Sequence, residues 1–149
     1  MNLDRFISAQ ENTYHNAFQE LQSGKKITHW MWFMFPQIKG LGKSDMAKKF
    51  ELTDREEAKL YLEHKILSTR LLELTQILVK EGSGKTAEDI FGFPDVLKFQ
   101  SCMTLFYSIV EQNKTLFKEE KYSVFKIALD VYYGGNLDLA TLKILNKEV

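Results

Sequence analysis

The residues with the greatest potential for chemistry lie between His29 and Ser44 of this chain of 149 residues. The segment His29–Gln37 holds both tryptophans, Trp30 and Trp32, among phenylalanine and methionine side chains. Tryptophan faces stack on flat ligands, and an imidazole such as that of His29 exchanges a proton near neutral pH. We predict that this segment is either the wall of a ligand pocket, with His29 as the candidate general acid or base, or a plug of the hydrophobic core.

A glycine-rich turn follows, with Gly40 and Gly42 leading to Ser44. Such a turn before a helix presents unpaired backbone N–H groups, which bind anions. Six lysines and a single acid lie between positions 25 and 49: Lys25, Lys26, Lys39, Lys43, Lys48 and Lys49 against Asp45. The turn therefore predicts an anion site, and the alternative is a solvated lysine-rich face beside an ordinary turn.

A polar stripe repeats every three residues along the helix predicted after Pro94. It consists of Asp95, Lys98, Ser101 and Thr104, which share one helix face. A mixed stripe of this kind lines a cleft or is simply solvated. Taken with the aromatic segment and the turn, it gives a predicted set of ligand-binding residues: Trp30, Trp32, Gln37, Gly40, Gly42, Ser44, Lys98 and Ser101.

Two familiar kinds of site are disfavoured by spacing. The segment Gly82–Thr86 reads Gly-Ser-Gly-Lys-Thr, like the end of a phosphate-binding loop, but Val79 stands where the first glycine is required and the preceding residues predict a helix. We therefore predict that Lys85 and Thr86 do not bind nucleotide phosphates. The three histidines lie far apart without the spacing of metal ligands, so no metal site is predicted.

Composition narrows the class of protein. Hydrophobic residues make up 44% and aromatic residues 13%, as expected of a globular core, and the formal net charge of zero argues against a nucleic-acid partner. Cys102 is the single cysteine. In the middle of a predicted helix, it is expected to be a buried, unreactive side chain. With no disulfide, signal peptide or membrane span predicted, we expect a cytoplasmic protein.

The elements that must position these residues are helices. Apolar residues at spacings of three and four between Leu3 and Leu21 predict a first helix that ends at Gly24. The residues Thr53–Glu56 form a predicted capping box, and Leu97 is a candidate core residue of the helix after Pro94. Further helices are predicted over 45–52, 66–80, 95–112, 122–133 and 138–146. We predict an all-α, compact single domain over 1–149, a bundle of about six to eight helices.

Several blocks give the chain a family resemblance: His29-Trp30-Met31-Trp32-Phe33, Phe35-Pro36-Gln37, Gly40-Leu41-Gly42 and Met103-Thr104-Leu105-Phe106. With these, nearly the whole chain resembles domain-of-unknown-function family 1810, a family of small bacterial proteins. The resemblance implies a mainly helical cytoplasmic domain without an established activity. It also marks recurring polar residues, for which a shared pocket is plausible: Arg5, Gln10, His29, Gln37, Ser44, His64, Arg70, Asp95, Lys98, Ser101 and Thr104.

Two functions follow as hypotheses. The first is a pocket for a nucleotide-like or phosphorylated small molecule, formed by His29–Gln37 and Gly40–Ser44, in which stacking on a tryptophan is combined with an anion site. The second is a non-enzymatic protein-interaction or structural domain whose aromatic run is plain core. A concave site that joins His29, Gln37, Ser44 and Lys98 would favour the first hypothesis.

Overall fold

The computed structural model describes residues 2–80 and 84–147, which contain ten α-helices. In chain order these are α1 (Asp4–Glu11), α2 (Tyr14–Gln22), α3 (Met31–Met34), α4 (Asp45–Phe50), α5 (Arg55–Glu63), α6 (Lys65–Lys80), α7 (Ala87–Phe91), α8 (Asp95–Gln112), α9 (Val124–Tyr133) and α10 (Leu139–Asn146). A 3-10 helix over Glu120–Ser123 precedes α9. The all-α prediction is confirmed. The helices are more numerous than predicted, because elements as short as α3 are too brief to show a period.

The predicted first helix is in fact two helices. The chain leaves the helix at Thr13, whose hydroxyl donates a hydrogen bond to the Ala9 carbonyl at 2.5 Å and whose N–H donates to the Gln10 carbonyl at 3.0 Å. Threonine side chains that bond to the preceding turn offer the backbone an alternative to continuing the helix. The break lets α1 pack on α3 while α2 packs on α6.

Side-chain caps fix several helix starts. Ser44 Oγ accepts a hydrogen bond from the Ala47 N–H at 3.1 Å, as predicted for α4. The cap of α5 lies one residue beyond the prediction: Asp54 accepts from the Glu57 N–H at 2.8 Å, and Glu57 reaches back to the Thr53 N–H at 2.8 Å. Aspartate is a better N-cap residue than threonine, so the cap falls on Asp54.

The core is centred on α8, which packs against α5, α7, α9 and α10. The Phe99 ring lies 5.0 Å from that of Phe35 and 4.7 Å from that of Phe91, between centroids. The prediction that Leu97 is a core residue is wrong, since its side chain is 52% exposed. Residues 97 and 99 lie about 200° apart around a helix axis, so burying Phe99 turns Leu97 outward.

Candidate functional site

The aromatic segment is mostly core. Trp30 and Phe35 are fully buried, Phe33 is almost fully buried, and only Trp32 keeps part of its ring at the surface. The prediction that Phe33 and at least one tryptophan are buried is therefore confirmed. The assignment of Trp30 to ligand contact is corrected, because a fully buried ring offers no face to a ligand.

Glu20 in α2 holds the loop that leads to Trp30. Its carboxylate accepts four hydrogen bonds: from the Ile27 N–H at 2.7 Å, the Thr28 N–H at 2.9 Å, the Thr28 hydroxyl at 2.6 Å and Trp30 Nε1 at 3.0 Å. Partial burial by itself would raise the pKa of Glu20, but the donated hydrogen bonds outweigh it and hold the pKa below its usual value. Sequence reasoning missed Glu20, since a glutamate on a helix resembles an ordinary solvated residue.

Four residues form what we call the Trp32 cluster: Lys26, Trp32, Asp95 and Lys98. Lys98 Nζ lies 5.0 Å from the Trp32 ring centroid and 3.5 Å from Asp95 Oδ1. Lys26 Nζ lies 2.8 Å from Asp95 Oδ2 and 5.1 Å from the centroid of the Trp30 ring. Both contacts have the geometry of cation–π interactions. The loop before α3 and the first turn of α8 thus meet through two lysines and one carboxylate.

Gln37 and Gly42 lie beside Trp32, as predicted, but around very little space. The hollow that these three residues line with parts of α4 has a volume of about 10 Å³, enough for about one water molecule. A Cβ on Gly42 would stand 2.4 Å from the Ala47 Cβ. Gly42 is therefore needed for close packing against α4, and the hollow does not hold a ligand.

The Gly40–Ser44 turn serves the fold. Gly40 has a φ of +105°, and a Cβ there would touch Ile144 of α10 at 3.4 Å. Ser44 Oγ already accepts the Ala47 N–H at the start of α4, a helix of only six residues. These contacts account for the turn without an anion, so anion binding by Gly40, Gly42 and Ser44 stays a prediction.

Ser101 faces α10 rather than a ligand. Its hydroxyl lies 2.8 Å from Asp138 Oδ2, and the same carboxylate oxygen accepts from the Thr141 hydroxyl at 2.5 Å. Thr104 Oγ1 accepts the Asp138 N–H at 2.9 Å. Ser101 is buried in this network. Its assignment to ligand binding is corrected, because the polar stripe on α8 divides: Lys98 turns to Trp32, while Ser101 and Thr104 hold the start of α10.

His29 stands apart from the other predicted residues. Its side chain is exposed, and no hydrogen bond or ion pair joins it to any residue of the ranges 2–80 and 84–147. Gln37 lines the hollow, Ser44 caps α4 and Lys98 lies over Trp32. His29 therefore has no described contact with the other three residues, and its role in proton transfer stays a prediction.

Other recurring polar residues stabilise the fold. Gln10 is buried, where Nε2 donates to the Phe33 carbonyl at 2.7 Å and to the Tyr61 hydroxyl oxygen at 3.0 Å, and Arg70 donates to its Oε1 at 3.3 Å. The imidazole of His64 accepts the Leu67 N–H at 3.3 Å near the start of α6. These contacts connect helices and do not surround a pocket.

The segment that resembles a phosphate-binding loop has local roles in its described part, and residues 82 and 83 lie outside the described ranges. Lys85 Nζ donates to the Gly24 carbonyl at 3.2 Å, and Thr86 forms a capping box with Asp89 at the start of α7. Cys102 is fully buried, and this burial raises the pKa of its thiol well above the usual value. Both findings agree with the expected structural roles.

A family model described as a protein of unknown function, DUF1810, matches residues 1–145. The chain belongs to the DUF1810 family. It is also similar to the crystal structure of the conserved hypothetical protein Rv1873 from Mycobacterium tuberculosis, with 40% identity and a TM-score of 0.87 over 97% of this chain and 96% of that one. No curated protein matches the chain. DUF1810 membership therefore supplies a fold and no activity.

Two kinds of feature are absent from the part of this DUF1810 chain that the structure describes. No group of three or more histidine, cysteine, aspartate or glutamate side chains is arranged there to hold a metal ion. None of the helices in that part is long and apolar enough to cross a membrane.

Proposed function

We propose that this protein binds a small molecule that carries a flat ring and an anionic group, such as a nucleotide-like or phosphorylated compound, over the outer face of the Trp32 cluster. One observation carries the proposal: Lys98 Nζ lies 5.0 Å from the centroid of a Trp32 ring that is only partly buried. A partly exposed indole and a cation thus adjoin at one point of the surface. Base-to-aromatic stacking contributes about 1–3 kcal/mol per base.

The charge of the cluster favours an anion. Lys26 and Lys98 both form ion pairs with one carboxylate, that of Asp95, so these three groups carry a net charge of +1. The Lys26 side chain is 7% exposed and that of Lys98 is 21% exposed. The more buried Lys26 therefore balances the charge of Asp95. Lys98, the more exposed of the two lysines, is the cation that a ligand can reach.

The ligand in this proposal lies on the surface and not in a pocket. The hollow beside Trp32 holds about 10 Å³, so a ring stacks on the outer face of the indole and its anionic group reaches Lys98. An open site leaves the ligand partly hydrated, and the attraction to Lys98 weakens as salt screens it. The proposal is accordingly binding, and no reaction is included.

The test is a calorimetric titration with adenosine monophosphate, ribose 5-phosphate and inorganic phosphate, using wild-type protein, Trp32→Phe, Lys98→Met and the control Lys43→Met. We expect adenosine monophosphate to bind more tightly than the two ring-free probes. Lys98→Met should weaken its binding about tenfold, the size expected for loss of a charge-assisted contact. Lys43 is an exposed lysine outside the cluster, so Lys43→Met should bind like the wild type.

Three results would overturn the proposal. They are the absence of binding by the wild-type protein, equal binding by Lys98→Met and the wild type, and equal weakening by Lys43→Met and Lys98→Met. Thermal melting of each variant shows whether it is folded.

A non-enzymatic interaction domain is the second candidate. Phe93, two residues before Asp95 of the Trp32 cluster, is 75% exposed, and Leu139 at the start of α10 is 78% exposed. Exposed apolar patches mark interaction surfaces. Sedimentation velocity of the wild type and of Phe93→Ser tests this candidate: self-association that the variant abolishes favours it, and a monomer at every concentration removes self-association as the function of this face.

A further inference from the structure

A second candidate site lies in a cavity of about 220 Å³ that shares no residue with the Trp32 cluster. It opens between the end of α2, the later half of α6, α7 and α9. Leu21, Leu78 and Ile90 line it, each at most 4% exposed, so the floor is apolar and firmly packed. A cavity of about 150 Å³ holds a benzene molecule, so this one has room for a ring or a short chain with a polar head.

The polar side chains that line the cavity include one cation, Lys85, and two groups that can donate or accept, Gln22 and Ser23. Lys85 Nζ lies 3.2 Å from the Gly24 carbonyl oxygen, which uses one of the three N–H groups of the ammonium. Gln22 and Ser23 also line the cavity, and neither side chain has a hydrogen bond within the described ranges. Among the residues that the structure describes, no acidic side chain lines the cavity. Tyr132 donates its hydroxyl hydrogen to the Leu78 carbonyl and so has none for a ligand.

Charge around the cavity also favours an anion. The Thr86 N–H and hydroxyl, and then the positive charges of Lys85 and Lys25, hold the pKa of Asp89 below its usual range. Lys25, Lys85 and Asp89 together therefore carry a net charge of +1, and of the three only Lys85 lines the cavity. The carbonyl end of α2 opposes an anion, but Lys85 covers the exposed Gly24 carbonyl there.

We propose that this cavity binds a small monocarboxylate with an apolar chain or ring, of about the size of hexanoate or benzoate. The carboxylate accepts hydrogen bonds from Lys85 and from the free donors of Gln22 and Ser23. The apolar part lies against Leu21, Leu78 and Ile90. The volume is below the roughly 300 Å³ at which sites for drug-sized ligands begin, so larger acids are excluded.

The experiment compares hexanoate, hexylamine and hexanol by amide chemical-shift titration of the wild-type protein. We expect hexanoate to shift the amides of Leu21, Leu78 and Ile90, hexanol to do so more weakly, and hexylamine not to bind. Lys85→Met should weaken hexanoate binding about tenfold. Lys85→Arg keeps the charge and should bind within a few-fold of the wild type, while the distant Lys43→Met should not differ from it.

A second variant tests the cavity without changing charge. Ile77 lines it and is only partly buried, so Ile77→Trp should fill the space and block hexanoate. Thermal melting identifies any variant that fails to fold. The proposal is overturned if wild-type protein shows no shifts at the cavity amides, if hexylamine binds as well as hexanoate, or if both Lys85→Met and a folded Ile77→Trp bind hexanoate like the wild type.

Discussion

The two tryptophans, Trp30 and Trp32, each have a lysine ammonium over the ring, but they differ in burial. A lysine ammonium lies about 5 Å from each ring centroid, Lys26 for Trp30 and Lys98 for Trp32. Trp30 is fully buried and its N–H is bonded to Glu20, whereas Trp32 is partly exposed. The same pair of residue types therefore forms part of the core at one position and part of the surface at the other. Burial and a hydrogen-bond partner for the indole N–H decide which.

The largest effect should follow from Trp30→Ala. Removing a fully buried aromatic side chain leaves a cavity and takes one of the four hydrogen-bond donors from the Glu20 carboxylate, so we expect a loss of about 3–5 kcal/mol of unfolding free energy. Urea denaturation measures it. A loss of less than about 1 kcal/mol would show that the Trp30 side chain does not stabilise the hydrophobic core.

The next largest effect should follow from Glu20→Ala. It leaves the buried Trp30 N–H without its acceptor and frees the Ile27–Thr28 backbone, for an expected loss of about 1–3 kcal/mol. Glu20→Gln, which keeps an acceptor oxygen, should lose less. Urea denaturation again provides the measurement. If the two variants are equally stable, the hydrogen bonds of Glu20 do not hold the loop.

The same carboxylate predicts a pH dependence. Because its pKa in the folded protein lies below the usual 4.5, Glu20 stabilises the fold above that value, and this contribution disappears as pH falls through the folded pKa. The stability difference between the wild type and Glu20→Gln should therefore shrink between about pH 6 and about pH 3. Thermal melts across that range measure it, and a difference that grows on acidification contradicts the sign.

Trp32→Ala should cost about 1–2 kcal/mol, since part of the ring is in water already. The comparison between the tryptophans is sharpest here, because this variant should remove ligand binding while Trp30→Ala mainly unfolds the protein. Urea denaturation and the nucleotide titration together measure the contrast. Equal losses of unfolding free energy in Trp30→Ala and Trp32→Ala would show that the two tryptophans contribute equally to the core.

The smallest effect should follow from His29→Ala. The side chain is exposed and has no partner in the described part of the chain, so stability should change by less than about 0.5 kcal/mol. Ligand binding or turnover that falls in this variant, at unchanged melting temperature, would support a functional imidazole. A marked loss of stability would instead assign it a structural role.

Sequence patterns predicted the fold well where the signals are local. The predicted boundaries of α8, from Pro94 to Gln112, and the Ser44 cap of α4 are both observed. The errors arise where two local options compete. Thr13 breaks a continuous apolar stripe with its own hydroxyl, and Leu97 fits a stripe that faces solvent because Phe99 takes the core position.

The candidate site was less predictable because its contacts are long-range. Ser101 and Asp138 are 37 residues apart, so nothing near Ser101 showed that its hydroxyl is already used. The uniform run from Trp30 to Phe35 has no period from which an exposed face could be chosen. One useful signal was available: Asp95 and Lys98 at i and i+3, the pair that lies beside Trp32.

Asp138 gathers several of the polar contacts that tie α10 to the body of the protein, beside the hydrogen bond from Arg55 to the Leu145 carbonyl at 3.0 Å. Ser101, Thr104 and Thr141 all meet at this one residue, and Leu145 is the one apolar residue of α10 that is buried within the described ranges. We expect a helix with so little buried apolar surface to open as a cooperative unit of its own, at a lower free energy than global unfolding. Its amide protons should then exchange with solvent together and well before those of α8.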